Sequence, residues 1–364
     1  MLLVVLGAGA SFDFSRGYPA GQSIDPLAWR PPLTDSLVAD CAHNRDLLNA
    51  VPGRAASSLI TEVRRRLSLS SAPTLESILD DLSKSNGLRA RELLAFRMYL
   101  QALLRKCSSE GIDEVAGDTN HALLVRHLEM WRKPRNEPVL YVTFNYDSIL
   151  EEALTSDLGW QPGGIESYLE RDEFQLFKLH GSWNWSQITD VECHYPGGDG
   201  GDDDPELRRA LLDNAAAFDG KEYGTIQVTG NTDWQRFTAR VRWQETRRSV
   251  WALPALAVPL GSKARFTCPQ SHVDILARYL PKIDRILAIG WKAGEPAFVD
   301  LLRHAKPDTV LRVVDPSEQV NLNMVRNLMR KGVPLKPRRV TRPVRPMTFS
   351  EFVRDELQEY LADL

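Results

Sequence analysis

Leu2-Leu3-Val4-Val5-Leu6-Gly7-Ala8-Gly9-Ala10-Ser11 decides the fold, because an unbroken aliphatic run changes there into small residues. Strands of a parallel sheet covered on both faces are continuously aliphatic, and five residues is a usual strand length. Gly7 and Gly9 let the backbone of the following turn approach a bulky group, and phosphate is the usual group. The dinucleotide-binding fingerprint needs a third glycine, and Phe12 stands in that place. The segment therefore predicts strand, turn and helix, and leaves nucleotide binding open.

Composition limits the class of protein. The chain has 364 residues and is 43% hydrophobic, which is enough for one large α/β domain with insertions or for two domains. No apolar run approaches the roughly 18 residues of a membrane span, and the N-terminal run lacks the basic flank of a signal peptide. We therefore expect a cytoplasmic protein without a membrane partner. A net charge of -3 gives no general attraction to nucleic acid, so such contact would need a local basic patch.

Further strand-like segments end in small or polar residues. Val139–Thr143 is followed by Asn145 and Asp147, and Gln175–Leu179 is followed by His180-Gly181-Ser182. Arg285–Ile289 is followed by Gly290, and Leu311–Val314 is followed by Asp315. Open α/β sheets bind ligands at the carboxyl ends of their strands. We therefore expect these loops, far apart in sequence, to converge on one pocket.

Two stretches interrupt the α/β pattern. Residues 33–136 have helical spacing, for example in Leu75–Leu82 after a capping Thr74, and predict a helical insertion. Residues 186–249 predict an irregular insertion around the Asp- and Gly-rich Pro196–Pro205, which lacks the distal Glu of a calcium loop. The predicted core is therefore 1–32, 137–185 and 250–320. Residues 321–364 predict a basic segment and a C-terminal helix, and Arg326–Arg345 is either a docking strip or a solvated tail.

The strand ends form an ordered set of motifs. They are Gly7-Ala8-Gly9-Ala10-Ser11, Thr143-Phe144-Asn145-Tyr146-Asp147, Leu179-His180-Gly181-Ser182, Ile289-Gly290-Trp291 and Val314-Asp315-Pro316-Ser317. This order resembles the SIR2 (sirtuin) superfamily, and more closely its bacterial SIR2-like branch found in anti-phage defence proteins. The resemblance implies a Rossmann-type, mostly parallel sheet that binds NAD and breaks its nicotinamide–ribose bond. Phe144 replaces the family's Gln, and Trp291-Lys292-Ala293-Gly294 replaces a loop of small or hydroxyl-bearing residues.

The resemblance also assigns roles. His180 would be catalytic and accept a proton from water or a ribose hydroxyl, and Asn145 would be catalytic by fixing the ribose or the attacking water. Asp147 would contact the nicotinamide carboxamide or stabilise the developing cation. The pyrophosphate would lie on Gly7, Ala8, Gly9, Ala10 and Ser11, the adenosine half near Gly290 and Asp315, and Gly181 and Ser182 would complete the NAD site. The alternatives are a structural histidine at 180 and helix-capping roles for Asn145 and Asp147.

The favoured function is an NAD hydrolase that serves as a gated defence effector. It would form a homo-oligomer or act with a companion protein such as an ATPase or other sensor. The alternatives are an NAD-dependent protein deacylase and a non-catalytic sensor of NAD or ADP-ribose. Deacylating sirtuins carry a four-cysteine zinc module after the His-Gly motif, whereas only Cys193 and Cys268 follow it here. Because His194 is adjacent to Cys193, adding it and His272 would give a poor tetrahedral set, so we expect no metal and water as the nucleophile.

Overall fold

The computed structural model describes the chain over most of its length, and the chain forms two compact units. The described residues are 1–16, 29–49, 53–69, 74–84, 89–194, 205–218, 225–228, 240–242, 249–257, 266–336 and 345–364. Unit 1 comprises Met1–Leu33, Cys107–His180 and Lys263–Leu364, and unit 2 comprises Thr34–Lys106 and Gly181–Ser262. The predicted helical insertion at 33–136 is divided between the two units at Lys106, and the segment 321–364 lies in unit 1. The predicted domain bounds stay a prediction.

Helices and strands both occur throughout the described chain, and their bounds are as follows. The strands are β1 (Leu2–Leu6), β2 (Val139–Thr143), β3 (Phe174–Lys178), β4 (Gly181–Glu192), β5 (Thr225–Val228), β6 (Arg240–Arg242), β7 (Ser249–Leu256), β8 (Arg285–Ile289) and β9 (Val310–Val314). The helices are α1 (Ala8–Phe12), α2 (Ala42–Asn49), α3 (Gly53–Leu67), α4 (Leu75–Ser83), α5 (Ala90–Glu114), α6 (Asn120–Arg132), α7 (Ile149–Leu158), α8 (Pro205–Asp213), α9 (Ala215–Phe218), α10 (Gln270–Tyr279), α11 (Pro296–Leu302), α12 (Glu318–Arg330), α13 (Phe349–Glu351) and α14 (Leu357–Ala362).

Unit 1 is built on a five-stranded parallel sheet with the order β3-β2-β1-β8-β9. β1 is the central strand, with Leu2 opposite Val139 on one side and Arg285 on the other. All five residues of β1 are buried, which explains its continuous aliphatic sequence. The chain adds β2 and β3 on one side of β1 and β8 and β9 on the other, so the strand order reverses beside β1. The predicted Rossmann-type α/β fold is confirmed, and its switch point lies at the carboxyl end of β1.

Unit 2 contains a four-stranded antiparallel sheet with the order β5-β4-β7-β6. Within the stretch 186–249, which was predicted to be an irregular insertion, the described residues include the end of β4, which continues to Glu192 and pairs with β7. β7 belongs to this sheet and not to the parallel one, although its apolar sequence suggested a core strand. Large and small side chains alternate along Trp183-Asn184-Trp185-Ser186, which is the two-residue repeat of a strand.

The stretch 33–136, which was predicted to be helical, contains α2 to α6. Thr74 caps α4, because its side chain accepts a hydrogen bond from Ser77 N at 3.2 Å. The four cysteines are free thiols, and three of them are buried. Among the described residues, no helix combines the length and apolar character that a membrane crossing requires. The Asp- and Gly-rich loop at 195–204, Val258 and Pro259, and the basic residues 337–344 lie outside the described residues.

The C-terminal segment is fixed to the first turn of the chain. Ser350 donates from Oγ to Asp13 Oδ1 at 2.6 Å and from its backbone N–H to Asp13 Oδ2 at 2.8 Å. Asn120 Nδ2 donates to the Asp13 carbonyl at 2.7 Å and to Ser350 Oγ at 2.8 Å. Because these groups are buried, loss of one partner would leave a costly unpaired polar atom. This network holds the end of α1, and thus the β1–α1 turn, in place.

Candidate active site

The turn after β1 packs against the end of β8. Gly7 N donates to Ile289 O at 3.0 Å, and Gly9 N donates to Gly290 O at 3.1 Å. A Cβ on Gly9 would lie 2.8 Å from Gly290 Cα, and one on Gly7 would lie 2.4 Å from Gly290 O. Gly290 itself has φ +59°, which favours glycine, and a Cβ there would lie 2.3 Å from Ala10 N. Gly7 and Gly9 therefore allow the backbone after β8 to approach this turn closely. The sequence had suggested that a phosphate group would occupy that position.

Asn145 joins the ends of β1 and β2. Its Nδ2 donates to Gly7 O and to Ser11 Oγ, both at 2.8 Å. Its backbone N–H donates to Thr143 Oγ1 at 3.0 Å. The side-chain amide has two N–H donors, and both are used within the protein, so Oδ1 is the atom that can accept from a ligand or a water. The structure thus brings Ser11 and Asn145 together, as the motif order predicted.

His180 lies beside the end of β2 among aromatic rings. Leu179 N donates to Thr143 O at 3.1 Å, which extends the β2–β3 pairing up to the histidine. The Phe144 ring centroid lies 5.0 Å from the imidazole centroid, and the Tyr146 ring is stacked on it at 6.1 Å. His180 is 3% exposed and Asn145 is 8% exposed. The two side chains therefore sit in a nearly dry setting, where hydrogen bonds and charges act more strongly than in water.

Phe144 also packs on the loop after β8. Its ring is nearly parallel to Trp291, with centroids 5.8 Å apart and an interplanar angle of 12°. Trp291 is buried and donates from Nε1 to Glu295 Oε2 at 2.6 Å. Phe144, where the resemblance predicts Gln, therefore has a packing role between His180 and the loop that carries Gly290.

Behind the site lies a buried ion pair that the sequence analysis did not identify. Lys178 Nζ is 2.7 Å from Glu151 Oε1, and the two side chains are 0% and 1% exposed. Lys178 Nζ also donates to the backbone carbonyl of Asp147. Burial raises the pKa of Glu151, and the adjacent Lys178 ammonium opposes that rise. The signal was a lysine at the end of an otherwise apolar strand, since a buried ammonium needs an anionic or polar partner.

Asp147 and His121 adjoin this pair. Asp147 is 5% exposed, and its Oδ1 accepts from Ile149 N, the first residue of α7, at 3.2 Å, while Ser148 occupies the N-cap position. Burial lowers the pKa of His121 to about 4; Asp147 opposes the shift, and Lys178 adds to it. Asp147 thus has a structural role in this conformation, and its predicted contact with nicotinamide stays a prediction.

Asp315 follows β9 on the other side of the switch point. Its Oδ1 accepts from Ser317 N at 2.8 Å. Burial raises the pKa of Asp315, while the Ser317 N–H and the positive charge of Lys292 both oppose the rise. The carboxylate is therefore held at the carboxyl edge of the sheet with a lysine near it.

The remaining predicted residues are distributed as follows. Ala8 is exposed in the first turn of α1, and Ala10 is buried. Gly181 and Ser182 begin β4 in unit 2, where Gly181 has φ +81° and Ser182 is fully buried. Within the part of the chain that the structure describes, no three His, Cys, Asp or Glu residues approach closely enough to hold a metal ion. The structure thus gathers Gly7, Gly9, Ser11, Asn145 and Gly290, with His180 and Asp147 next to them.

Comparison with known proteins gives matches only at the level of structure. No family model matches the sequence. No curated protein sequence matches it significantly. A Sir2 homologue solved as a complex with NAD aligns with a TM-score of 0.40 and 12% identity, covering 100% of this chain and 89% of that chain. Two Sir2 homologue variants, each in complex with ADP-ribose, align with TM-scores of 0.38 and 0.39 and identities of 12% and 13%, covering 100% of this chain and 92% of theirs.

Proposed function

We propose that the protein is an NAD hydrolase that cleaves the nicotinamide–ribose bond to give ADP-ribose and nicotinamide. The observation that carries the proposal is that Ser11, Asn145 and His180 follow three adjacent parallel strands at their carboxyl ends, next to the switch point. Ser11 and Asn145 are hydrogen-bonded, and the His180 ring packs on the two aromatic residues that flank Asn145. Ligands of open α/β sheets bind in this place. The residue types also suit a reaction in which a neutral base leaves a ribose carbon.

The reaction needs a group that accepts a proton and a group that orients the nucleophile. His180 supplies an imidazole with a reference pKa near 6.5, which can accept a proton from water or from a ribose hydroxyl. Asn145 supplies a fixed Oδ1 acceptor, because its two N–H groups are held by Gly7 O and Ser11 Oγ. Low exposure of both side chains strengthens the hydrogen bonds that they can form with a ligand.

The ribose groups and the phosphate groups of a dinucleotide would contact different parts of the proposed site. The side chains of Asn145, His180 and Asp315 can accept hydrogen bonds from ribose hydroxyls. The glycines at 7 and 9 are used against Gly290, so any phosphate contact of this turn must come from its exposed side, where Ala8 lies. Gly181 and Ser182 remain proposed contacts of the same ligand.

We also propose that the enzyme is a gated effector of anti-phage defence, as the resemblance implies. Uncontrolled hydrolysis of NAD would exhaust the pool on which the host depends, so such an enzyme needs a trigger. A homo-oligomer or a companion protein such as an ATPase would supply it. The cytoplasm, where NAD is consumed, is the proposed location.

A nicotinamide-release assay on the purified protein, with and without an acetyl-lysine peptide, tests the proposal. We expect ADP-ribose without peptide, and a loss of roughly 10² to 10⁴ in rate for His180→Ala and for Asn145→Ala. His304→Ala removes an exposed histidine of unit 1 and should leave the rate unchanged. Circular dichroism and thermal unfolding of each variant separate lost chemistry from lost fold, since Asn145→Ala also removes two buried hydrogen bonds.

The outcomes separate the possible functions. Production of O-acetyl-ADP-ribose that requires the peptide would identify a deacylase. Binding of NAD or ADP-ribose without turnover under any activating condition would identify a sensor. Full turnover in both folded variants would refute the assignment of His180 and Asn145.

A further inference from the structure

The turn between β2 and α7, residues 144–148, carries much of the proposed site. It supplies the amide proposed to orient the nucleophile and the two aromatic rings that pack on the catalytic imidazole. Its backbone is held by neighbouring elements at both ends. Phe144 N donates to Leu6 O in β1 at 3.1 Å, and Ser148 N donates to Ser108 Oγ in α5 at 3.1 Å. The position of the β2–α7 turn is therefore set by contacts outside the turn itself.

Lys178 makes a further contact with the β2–α7 turn from the end of β3. Its ammonium donates to the backbone carbonyl of Asp147, near the end of the turn. The same ammonium lies 2.7 Å from Glu151 Oε1, in the first turn of α7. An ammonium has three N–H donors, so a single group can hold both acceptors. Lys178 thus joins the strand that leads to His180 with the turn that carries Asn145.

Stability alone gives no reason for an ion pair at this place. The side chains of Lys178 and Glu151 are 0% and 1% exposed. Desolvation of two buried charges offsets their attraction, so an apolar pair of similar volume is often as stabilising as the ion pair, or more so. An apolar pair would, in contrast, remove the donor that Lys178 provides to the Asp147 carbonyl. What the ion pair adds is a fixed position for the β2–α7 turn.

We infer that Lys178 is a positioning residue of the proposed hydrolase and that Glu151 holds its ammonium in place. This inference rests on the proposed function. The ammonium fixes the backbone directly after Asn145 and Tyr146, so it determines where the amide acceptor lies and where the tyrosine ring packs on the imidazole. A displacement of about 1 Å at a reacting centre can lower a rate by about a hundredfold. Because Lys178 is fully buried, it acts through the turn and not on the substrate.

The double variant Lys178→Met/Glu151→Leu separates positioning from stability, because it keeps the buried volume and removes the donor. We expect a thermal midpoint close to that of the wild type, a kcat for nicotinamide release lower by about 10², and a KM for NAD within about threefold. Glu151→Gln keeps the lysine donor on the Asp147 carbonyl, because an amide oxygen also accepts from Lys178, and should lower kcat by less than about tenfold. As a control, Arg126→Met/Asp157→Leu makes the same exchange in the 2.9 Å ion pair between α6 and α7 and should leave kcat unchanged.

The imidazole of His180 reports the position of the turn without any turnover. Its centroid lies 5.0 Å from that of the Phe144 ring and 6.1 Å from that of the Tyr146 ring. The NMR chemical shifts of the imidazole therefore depend on where the turn places these two rings. In protein with isotope-labelled histidine, the His180 signal is assigned from its loss in His180→Ala. This signal should move in the Lys178→Met/Glu151→Leu variant and stay in place in the control variant.

Each outcome decides between positioning and another role. Full kcat in the folded double variant, or an unmoved His180 signal, would overturn the inference and leave the hydrolase intact. A double variant that does not fold would show that the pair serves stability, and would overturn the inference as well. An equal loss of kcat in Glu151→Gln would assign the effect to the charge of the pair and not to position. If the wild type releases no nicotinamide under any condition, the proposed hydrolase fails, whereas a His180 signal that moves only in the double variant still supports positioning of the turn by Lys178.

Discussion

Replacing Lys178 by Met tests the buried ion pair behind the site. The change keeps the length of the side chain and removes the ammonium that contacts Glu151 Oε1 at 2.7 Å and the Asp147 carbonyl. Removal of one partner from a buried pair costs about 3–5 kcal/mol, because the other charge is left uncompensated. We therefore expect a loss of about 4 kcal/mol in the free energy of unfolding near neutral pH.

The loss should depend on pH in a defined direction. Burial raises the pKa of Glu151, and removing Lys178 removes the charge that opposes this rise. A carboxyl group whose pKa is higher in the folded than in the unfolded state binds more protons when folded, so its folded form loses stability as pH rises. The deficit of Lys178→Met should therefore be smallest at mildly acidic pH and increase as the pH rises through the folded pKa.

Urea unfolding at mildly acidic and mildly basic pH measures both effects. The double variant Lys178→Met/Glu151→Leu should recover most of the loss, since an apolar pair of similar volume replaces a buried ion pair at little cost. Lys84→Met removes an exposed lysine that pairs with Asp80, and it should leave the transition midpoint unchanged. A single variant within about 1 kcal/mol of the wild type, or a double variant no more stable than the single one, would refute the reasoning.

Two further predictions follow from the packing of unit 1. Gly9→Ala should lower the free energy of unfolding by roughly 1–3 kcal/mol because its Cβ meets Gly290 Cα at 2.8 Å, whereas Gly294→Ala, which points into open space, should not; equal thermal midpoints of the two variants would contradict this. Buried His121 has a pKa of about 4, against 6.5 in the unfolded chain, so between these values the unfolded state binds one more proton than the folded state. The free energy of unfolding should therefore fall by about 3 kcal/mol as the pH decreases from 6.5 to 4. Unfolding of His121→Leu should lack most of this pH dependence, and an unchanged dependence would contradict the assignment.

The parallel sheet could be predicted because strands that are buried on both faces have continuously aliphatic sequences. Leu2–Leu6 is covered on both faces and flanked by strands on both sides, so every position is aliphatic. β4 was not predicted, because the α/β pattern weakens after Ser186, although the alternation of Trp183 and Trp185 with small polar residues is that of a strand. β7 was assigned to the wrong sheet, since an apolar run shows burial but does not show which strand is its neighbour.

The sequence indicated which residues follow the strands at the candidate site, but it did not indicate the contacts that these residues form. The order of the strand ends gave Ser11, Asn145 and His180, and the topology brings their strands together. The ion pair of Lys178 and Glu151 depends on how α7 packs on β3, which single-sequence patterns do not specify. The glycines indicated that something approaches the backbone closely, but sequence could not distinguish a ligand from another turn of the chain.

The contact between Gly9 and Gly290 has a consequence for how this protein can evolve. A Cβ at either position would clash with the backbone at the other position. Because glycine has no side chain to shorten, a second substitution at the partner position could not relieve the clash. The two positions should therefore be inherited together, although most of the chain separates them. In remote relatives, a glycine after the first strand matched by a left-handed glycine after the eighth would be a more durable mark of common ancestry than overall identity.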